Sequence, residues 1–154
     1  MTITVIGPGA IGCLLAAYLT RAGEEVSLLD YRPKRATLLQ DRGIAVDGER
    51  EAFHTPIKAT AHLTEVRSTD IFILCVKASD TAVVAANLKN AIPPESHLLT
   101  LQNGMGNIEK LSESFGSDRV FAGATSHGAT LLEVGRVRHA GYGAANVHTM
   151  SVFG

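Results

Sequence analysis

The chain has no tryptophan, few aromatic residues of any kind (5%), only two cysteines in 154 residues, and a net charge of only −1 at pH 7. A charge balance this close to neutral argues against electrostatic capture of nucleic acid. No apolar run approaches the ~20 residues that a membrane-spanning helix needs, so we expect no membrane partner. No basic segment precedes the apolar start MTITVIG, which therefore predicts a strand rather than a secretory signal.

The two cysteines, Cys13 and Cys75, each fall within a predicted apolar element. Isolated thiols in such places are typical of a reducing compartment, so we expect a cytoplasmic protein whose cysteines pack in the core. Nothing nearby in the sequence would lower a thiol pKa, which argues against a redox pair. The six histidines show no metal-ligand spacing, so we predict no metal site.

The chain does contain an alternation of apolar runs and helical segments. Residues 2–6 predict a strand, residues 10–22 a helix ended by Gly23, and residues 25–29 a second strand, which together make a βαβ unit. The further predicted elements are a helix over 33–41, a β excursion over 43–59 that turns at Asp47-Gly48, strands over 70–76 and 97–101, and helices over 79–89 and 107–115.

The last part of the chain has a different composition. Residues 119–148 are rich in small and β-branched side chains and lack helical periodicity, which predicts strands joined by turns at Val134-Gly135 and at 141–143. We therefore predict an α/β fold: a Rossmann-type, doubly wound, mostly parallel sheet with a β-rich C-terminal segment, forming one dinucleotide-binding domain over residues 1–154.

A glycine-rich turn joins the first strand to the first helix: Gly7-Pro8-Gly9-Ala10-Ile11-Gly12. In this setting Gly7 permits the tight turn, Gly9 lets the backbone approach a pyrophosphate, and Gly12 allows close helix–strand packing. The helix N-terminus then offers N–H groups to the phosphates. The alternative is a structural turn with no ligand.

The end of the second strand carries signals for two different cofactors. Asp30 stands where a carboxylate would bind the ribose 2′-hydroxyl of NAD, whereas Arg32, with Lys34 and Arg35, stands where cations would accept the 2′-phosphate of NADP. The three cations are alternatively a solvated start of the second helix, although cations there oppose the helix dipole. The residues alone leave NADP and NAD both open.

Four stretches, in order, resemble one known family: ITVIGPGAIG, ILCVKASDT, LLTLQNGMGN and GATSHGATLLEVGRVRHAGYG. The chain resembles the N-terminal NAD(P)-binding domain of ketopantoate reductases (2-dehydropantoate 2-reductases) over almost its whole length. The resemblance implies an oxidoreductase that uses NADPH to reduce 2-dehydropantoate, a small 2-keto acid, to pantoate for pantothenate and coenzyme A synthesis.

Two polar residues at strand ends are further candidates. Lys77 ends the apolar run DIFILCV, where it either contacts a bound anion or extends into solvent, and Asn103 belongs to an Asn-Gly pair that is also a common turn. The resemblance implies that Lys77 contacts cofactor or substrate and that Asn103 lies where nicotinamide and keto acid meet. We predict His127, at the end of a predicted strand, to line the core or the cleft rather than to act as a base.

The family's catalytic lysine and glutamate lie on a C-terminal helical domain that has no counterpart here. We therefore expect no catalytic residue in this chain, no independent turnover, and exposed apolar residues over 147–153 that favour a homo-oligomer. Two alternatives stay open: a stand-alone NAD(P)-binding sensor or regulatory module, and the cofactor domain of another 2-keto or hydroxy acid dehydrogenase.

Overall fold

The computed structural model describes residues 1–66, 68–102 and 106–149, and of residues 148 and 149 it describes the backbone alone. Within these ranges the strands are β1 (Thr2–Ile6), β2 (Glu25–Leu29), β3 (Ile44–Gly48), β4 (Ala52–Thr55), β5 (Lys58–Thr60), β6 (Ile71–Leu74), β7 (His97–Thr100), β8 (Val120–Thr125), β9 (Gly128–Glu133), β10 (Arg136–Gly141) and β11 (Ala145–Thr149). The α-helices are α1 (Ala10–Arg21), α2 (Pro33–Arg42), α3 (Thr81–Lys89) and α4 (Asn107–Phe115), and short 3₁₀ helices lie at Leu63–Val66 and Ala78–Asp80.

The larger sheet has the strand order β11-β8-β7-β6-β1-β2-β5 in the described part of the chain. Its strands are parallel except β11, which runs antiparallel to β8. From β1 the chain first builds outwards through β2 to β5, and then returns to the other side of β1 with β6. The direction of winding therefore reverses between β1 and β6, and ligands of such sheets bind outside the carboxyl ends of the strands at that point. The predicted Rossmann-type fold is confirmed.

The smaller sheet has the order β4-β3-β10-β9, with β3 and β10 parallel and the other neighbours antiparallel. The predicted β-rich C-terminal segment is thus confirmed, but it divides between the two sheets, because β8 and β11 extend the larger one while β9 and β10 belong to the smaller one. The predicted turn at Asp47-Gly48 is wrong. Both residues belong to the end of β3. The chain turns over residues 49–51 instead, where the Gly48 N–H donates to the Glu51 carbonyl oxygen at 3.0 Å.

Helix α1 lies between the two sheets and buries Cys13, Leu14, Ala16 and Ala17. A second core cluster, on the other face of the larger sheet, packs α3 and α4 around Phe72. Each large apolar side chain buried in this way contributes about 1.5–3 kcal/mol to folding, and this is what holds the glycine-rich turn at the start of α1 against β6. The described helices include none that joins the length and apolar character needed to cross a membrane.

Candidate functional site

The outer glycines of the turn have structural reasons to be glycine. Gly7 has a φ of +96°, and a Cβ there would lie 2.9 Å from Val76 Cγ1. A Cβ on Gly12 would lie 2.1 Å from the Gly7 carbonyl oxygen, so no side chain fits without moving backbone. Packing of α1 onto the strand ends therefore explains both residues, as predicted for Gly12.

Gly9 is different. It is the N-cap residue of α1 with an extended backbone (φ −78°, ψ −166°), which any residue adopts. A Cβ at Gly9 would meet nothing within 4 Å in the part of the chain that the structure describes. The first turn of α1 carries no acidic side chain that would neutralise its N-terminus. Neither packing nor backbone conformation requires glycine here, whereas a ligand that approaches the backbone closely would.

Three adjoining hollows open around this turn, and Val76 lines all of them. The first is small and apolar, about 140 Å³, and lies between Leu29, Tyr31 and Leu63. The second, about 290 Å³, is lined by Gly9, Arg32, Arg35, Lys77 and Asp80 among others. The third, about 300 Å³, lies between Ile11, Lys77 and Gln102. Together they form an elongated cleft along the carboxyl ends of β1, β2, β6 and β7, which we call the glycine-turn cleft.

Asp30 is fully buried and bonded to Arg35 rather than open to the cleft. Its Oδ1 accepts from Arg35 Nη2 at 2.8 Å and from the Arg32 backbone N–H at 3.1 Å, and its Oδ2 accepts from Arg35 Nε. The side chain of Asp30 has no solvent exposure. These hydrogen bonds raise the pKa of Arg35 above its ordinary value. The two residues that the sequence assigned to different cofactors are therefore bonded to each other.

Arg32 is exposed and lines the cleft, whereas Lys34 is exposed and is not among the residues that line it. The Arg32 Nε donates to Tyr31 Oη at 3.1 Å, and the guanidinium lies 5.2 Å from the Tyr31 ring centroid. Tyr31 is 71% exposed, although it is a large side chain. Tyr31 was not among the residues predicted for the site, and its only signal in the sequence was its position between Asp30 and Arg32.

Lys77 lies three residues after the end of β6, which closes at Leu74 rather than at residue 76 as predicted, and it lines both of the larger hollows. Gln102 was not predicted as a site residue, but its amide Nε2 donates to the Val76 oxygen at 2.9 Å and to Thr81 Oγ1 at 2.8 Å. Gln102 thereby bonds the end of β7 to the loop that carries Lys77. Asn103, the other predicted contact, lies outside the described residues.

Both cysteines lie near the turn as packed thiols. Cys13 donates to the Pro8 oxygen at 3.4 Å, and Cys75 lines the two larger hollows. Burial raises the pKa of each thiol to about 12, so both stay neutral at ordinary pH. The predicted core role is confirmed for Cys13, whereas Cys75 is half-buried and packs at the edge of the core. Nothing at the described site activates a thiolate.

His127 lines a separate hollow between α1 and the smaller sheet, where its Nδ1 lies 2.9 Å from His139 Nε2. His127 was predicted to line the core or the cleft, but it is half-buried and lines this separate hollow instead of the glycine-turn cleft. Among the described residues no three His, Cys, Asp or Glu side chains form a metal-ligand set.

Comparison with known proteins places the chain in one family. The family described as ketopantoate reductase PanE/ApbA matches residues 3–151. A 2-dehydropantoate 2-reductase of Halobacterium salinarum is 34% identical over 150 residues, covering 96% of this chain and 48% of that protein. One of Pyrococcus horikoshii is 35% identical over 143 residues, covering 93% of this chain and 46% of that protein.

Among solved structures, a PanE/ApbA family ketopantoate reductase from Ralstonia eutropha superposes with a TM-score of 0.89 at 28% identity, covering 98% of this chain and 50% of that one. The chain spans about half the length of the curated relatives it matches. Since the family match extends over nearly all of the described fold and includes the glycine-rich turn, the chain belongs to the ketopantoate reductase PanE/ApbA family.

Proposed function

We propose that the glycine-turn cleft binds a nicotinamide dinucleotide, with NADP(H) preferred over NAD(H), and that the chain is the cofactor-binding domain of an NADPH-dependent 2-dehydropantoate 2-reductase. Gly9 carries the proposal, because its missing side chain has no purpose in the protein alone. A pyrophosphate at the N-terminus of α1 would occupy the space that a Cβ would take, and it would accept hydrogen bonds from the first backbone amides of the helix.

The choice of NADP follows from Asp30 and Arg32. Because Asp30 is buried and bonded to Arg35, its carboxylate is not presented to a ribose 2′-hydroxyl. The Arg32 guanidinium is exposed on the cleft beside Tyr31, where it can pair with a 2′-phosphate. The adenine would lie in the apolar hollow beside Leu29 and Leu63.

When bound, such a cofactor supplies a hydride for reduction of a ketone. The chain's own residues orient and bind: Lys77 presents a positive charge to both larger hollows, and Gln102 holds the Lys77 loop against β7. We extend the proposal to Asn103, as the contact between nicotinamide and keto acid. A proton must reach the ketone oxygen during reduction, and we assign its donor to a C-terminal helical domain. In this proposal the 154-residue chain binds the cofactor without turnover.

The family relationship supports a small 2-keto acid as substrate of the whole enzyme, a role in pantothenate synthesis and a cytoplasmic location, and we propose all three. Self-association of the chain also stays a proposal.

Titration of the chain with NADPH, followed by the change in cofactor fluorescence, tests the cofactor site. In Gly9→Val we expect the affinity to fall by about 100-fold or more, since losing two charge-assisted hydrogen bonds costs about 3 kcal/mol. Ala140→Val is the control, because it places the same valine side chain on an exposed position of β10 and should leave the affinity unchanged. If folded Gly9→Val binds NADPH as well as the wild type does, the assignment of the cleft is wrong.

A further inference from the structure

The hollow that contains His127 is the largest of those described above, about 480 Å³, and it shares no lining residue with the glycine-turn cleft. It lies between α1, β10 and the turn after β3. Leu14 and Leu15 of α1 form its apolar side. None of its polar residues takes part in the function proposed above, so their convergence on one hollow has no explanation in cofactor binding.

A chain of hydrogen bonds forms one wall. Tyr18 Oη lies 3.1 Å from His139 Nδ1, His139 Nε2 lies 2.9 Å from His127 Nδ1, and the Gly143 N–H donates to the same His127 Nδ1 at 3.3 Å. Because His127 Nδ1 accepts from Gly143, the shared proton belongs to His139 Nε2, and Tyr18 donates to His139 Nδ1. Because Nδ1 is occupied as an acceptor, Nε2 is the nitrogen with which His127 can donate to a ligand in the hollow that it lines.

The lining of the hollow includes one cation, Arg50, and one anion, Glu51, and only the anion is already paired. Glu51 is paired with Arg21 at 2.5 Å, whereas none of the ion pairs found among the described residues includes Arg50. The Arg50 guanidinium instead lies 4.3 Å from the Tyr142 ring centroid, and the Arg50 backbone N–H donates to Tyr142 Oη at 3.1 Å. An arginine held by its backbone and by a ring face keeps its side-chain donors for an anion.

The same hydrogen-bonded rings, together with Tyr142, make this wall aromatic. The rings of His139 and Tyr142 lie 3.9 Å apart between centroids, and Tyr18 meets His139 edge-on at 5.6 Å. Burial lowers the pKa of His139 and raises that of Tyr18 to about 12, so both rings are neutral at pH 7 and the hydrogen-bond chain is intact. The neutral rings and the two leucines can pack against the apolar part of a ligand. The donors of Arg50 and His127 can bind its charged group.

We propose that this hollow is a second small-molecule site for an organic carboxylate with a flat apolar body. The carboxylate accepts hydrogen bonds from Arg50 and from His127 Nε2, while the body packs between Tyr142 and the leucines of α1. The site is independent of the cofactor, because no residue is shared between the two regions.

Benzoate is the probe that tests this site on the 154-residue chain, with the ring signals of His127 and His139 followed by NMR. We expect saturable shifts of both signals with benzoate and weaker, tenfold or more, binding of uncharged benzamide, which has the same shape. Arg50→Gln should lower the benzoate affinity about tenfold, since a hydrogen bond to a charged group contributes about 1.5 kcal/mol or more. Arg50→Lys, which keeps the charge, should retain most of it.

Arg138→Gln is the matched control, because it removes the same charge from an exposed position of β10 outside the hollow. The proposal is overturned if benzoate causes no saturable shift up to its solubility limit, if benzamide binds equally well, or if Arg138→Gln weakens binding as much as Arg50→Gln does. Displacement of benzoate by NADPH would also overturn it, since that result would assign the benzoate to the cofactor cleft.

Discussion

The glycine-turn cleft lies at the N-terminal end of α1, and the hollow that contains His127 lies along the side of α1. The two are built in opposite ways. The cleft is formed by short stretches of contiguous sequence, each following a parallel strand of the larger sheet. The hollow combines residues far apart in the chain: Tyr18 and His139, which share a hydrogen bond, are 121 positions apart. A site at strand ends is visible in a sequence because the strands specify it, whereas a site between two sheets becomes visible only when the sheets are assembled.

The largest difference that we expect concerns the glycines of the turn. Gly12→Ala should lower the free energy of unfolding by about 3 kcal/mol, because its Cβ would meet the Gly7 carbonyl oxygen at 2.1 Å. Gly9→Ala should lower it by only about 0.5–1 kcal/mol, since its Cβ meets nothing among the described residues and only the N-cap preference for glycine over alanine is lost. Urea denaturation of the two variants measures both values. Equal losses in the two would show that Gly9 is also a packing glycine, and the distinction that supports the cofactor proposal would disappear.

In the hollow that contains His127, Tyr18→Phe should cost about 1–2 kcal/mol of stability, because it leaves the buried Nδ1 of His139 without its donor. Tyr31→Phe removes the same hydroxyl from an exposed side chain of the cleft and should cost less than about 0.5 kcal/mol. The same denaturation experiment compares them. A Tyr18→Phe protein as stable as the Tyr31→Phe protein would show that the hydrogen-bond chain does not hold α1 to the smaller sheet.

A smaller effect separates the two cofactors. Arg32→Gln should weaken NADPH binding about tenfold and leave NADH binding unchanged, because one charged contact to the 2′-phosphate is lost. Lys34→Gln removes a neighbouring charge that does not line the cleft and should affect neither cofactor. Fluorescence titration with both nucleotides gives the ratio of the NADPH and NADH affinities in each variant. Equal loss for NADPH and NADH in Arg32→Gln would mean that Arg32 does not contact a 2′-phosphate.

The smallest effect is a dependence of stability on pH. Burial and the neighbouring His127 and Arg50 lower the pKa of His139, against the opposing influence of Glu51. As the pH falls below about 6.5, the unfolded chain takes up a proton at this residue before the folded chain does, so the free energy of unfolding decreases. Above that range His139 is neutral in both states and the loss is absent. Urea midpoints between about pH 7.5 and pH 5 should therefore fall more steeply in the wild type than in His139→Gln, and parallel curves would refute this assignment.

Local sequence patterns predicted most of the larger sheet. The bounds of β1 and β2 match the prediction, and α1 ends one residue earlier than expected, because strand, turn and helix there depend on near neighbours. The hairpin turn after β3 was misplaced, since Asp47-Gly48 is a favourable turn pair in isolation. Pairing with β10, about 90 positions later in the chain, keeps both residues in the strand.

The residues of the candidate site were predictable where they depend on near neighbours in the sequence, as the strands and helices were. The glycine-rich turn, Arg32 and Lys77 all lie at the cleft, because each follows a recognisable strand or turn. The bond between Asp30 and Arg35 was not predicted, since it depends on how the first turn of α2 is placed over the end of β2. Gln102 was missed because its role depends on the loop after β6, which is remote in sequence.

Amide NMR of the 154-residue chain during titration with NADPH tests the central claim most directly. If NADPH binds in the glycine-turn cleft, we expect saturable shifts for the amides of Arg32, Lys77 and the start of α1, which comprises Gly9, Ala10, Ile11 and Gly12. The ring signals of His127 and His139 should stay unchanged. The account would be contradicted if NADPH shifted the histidine signals while the amides at the glycine-rich turn stayed in place, or if no saturable shift occurred at all.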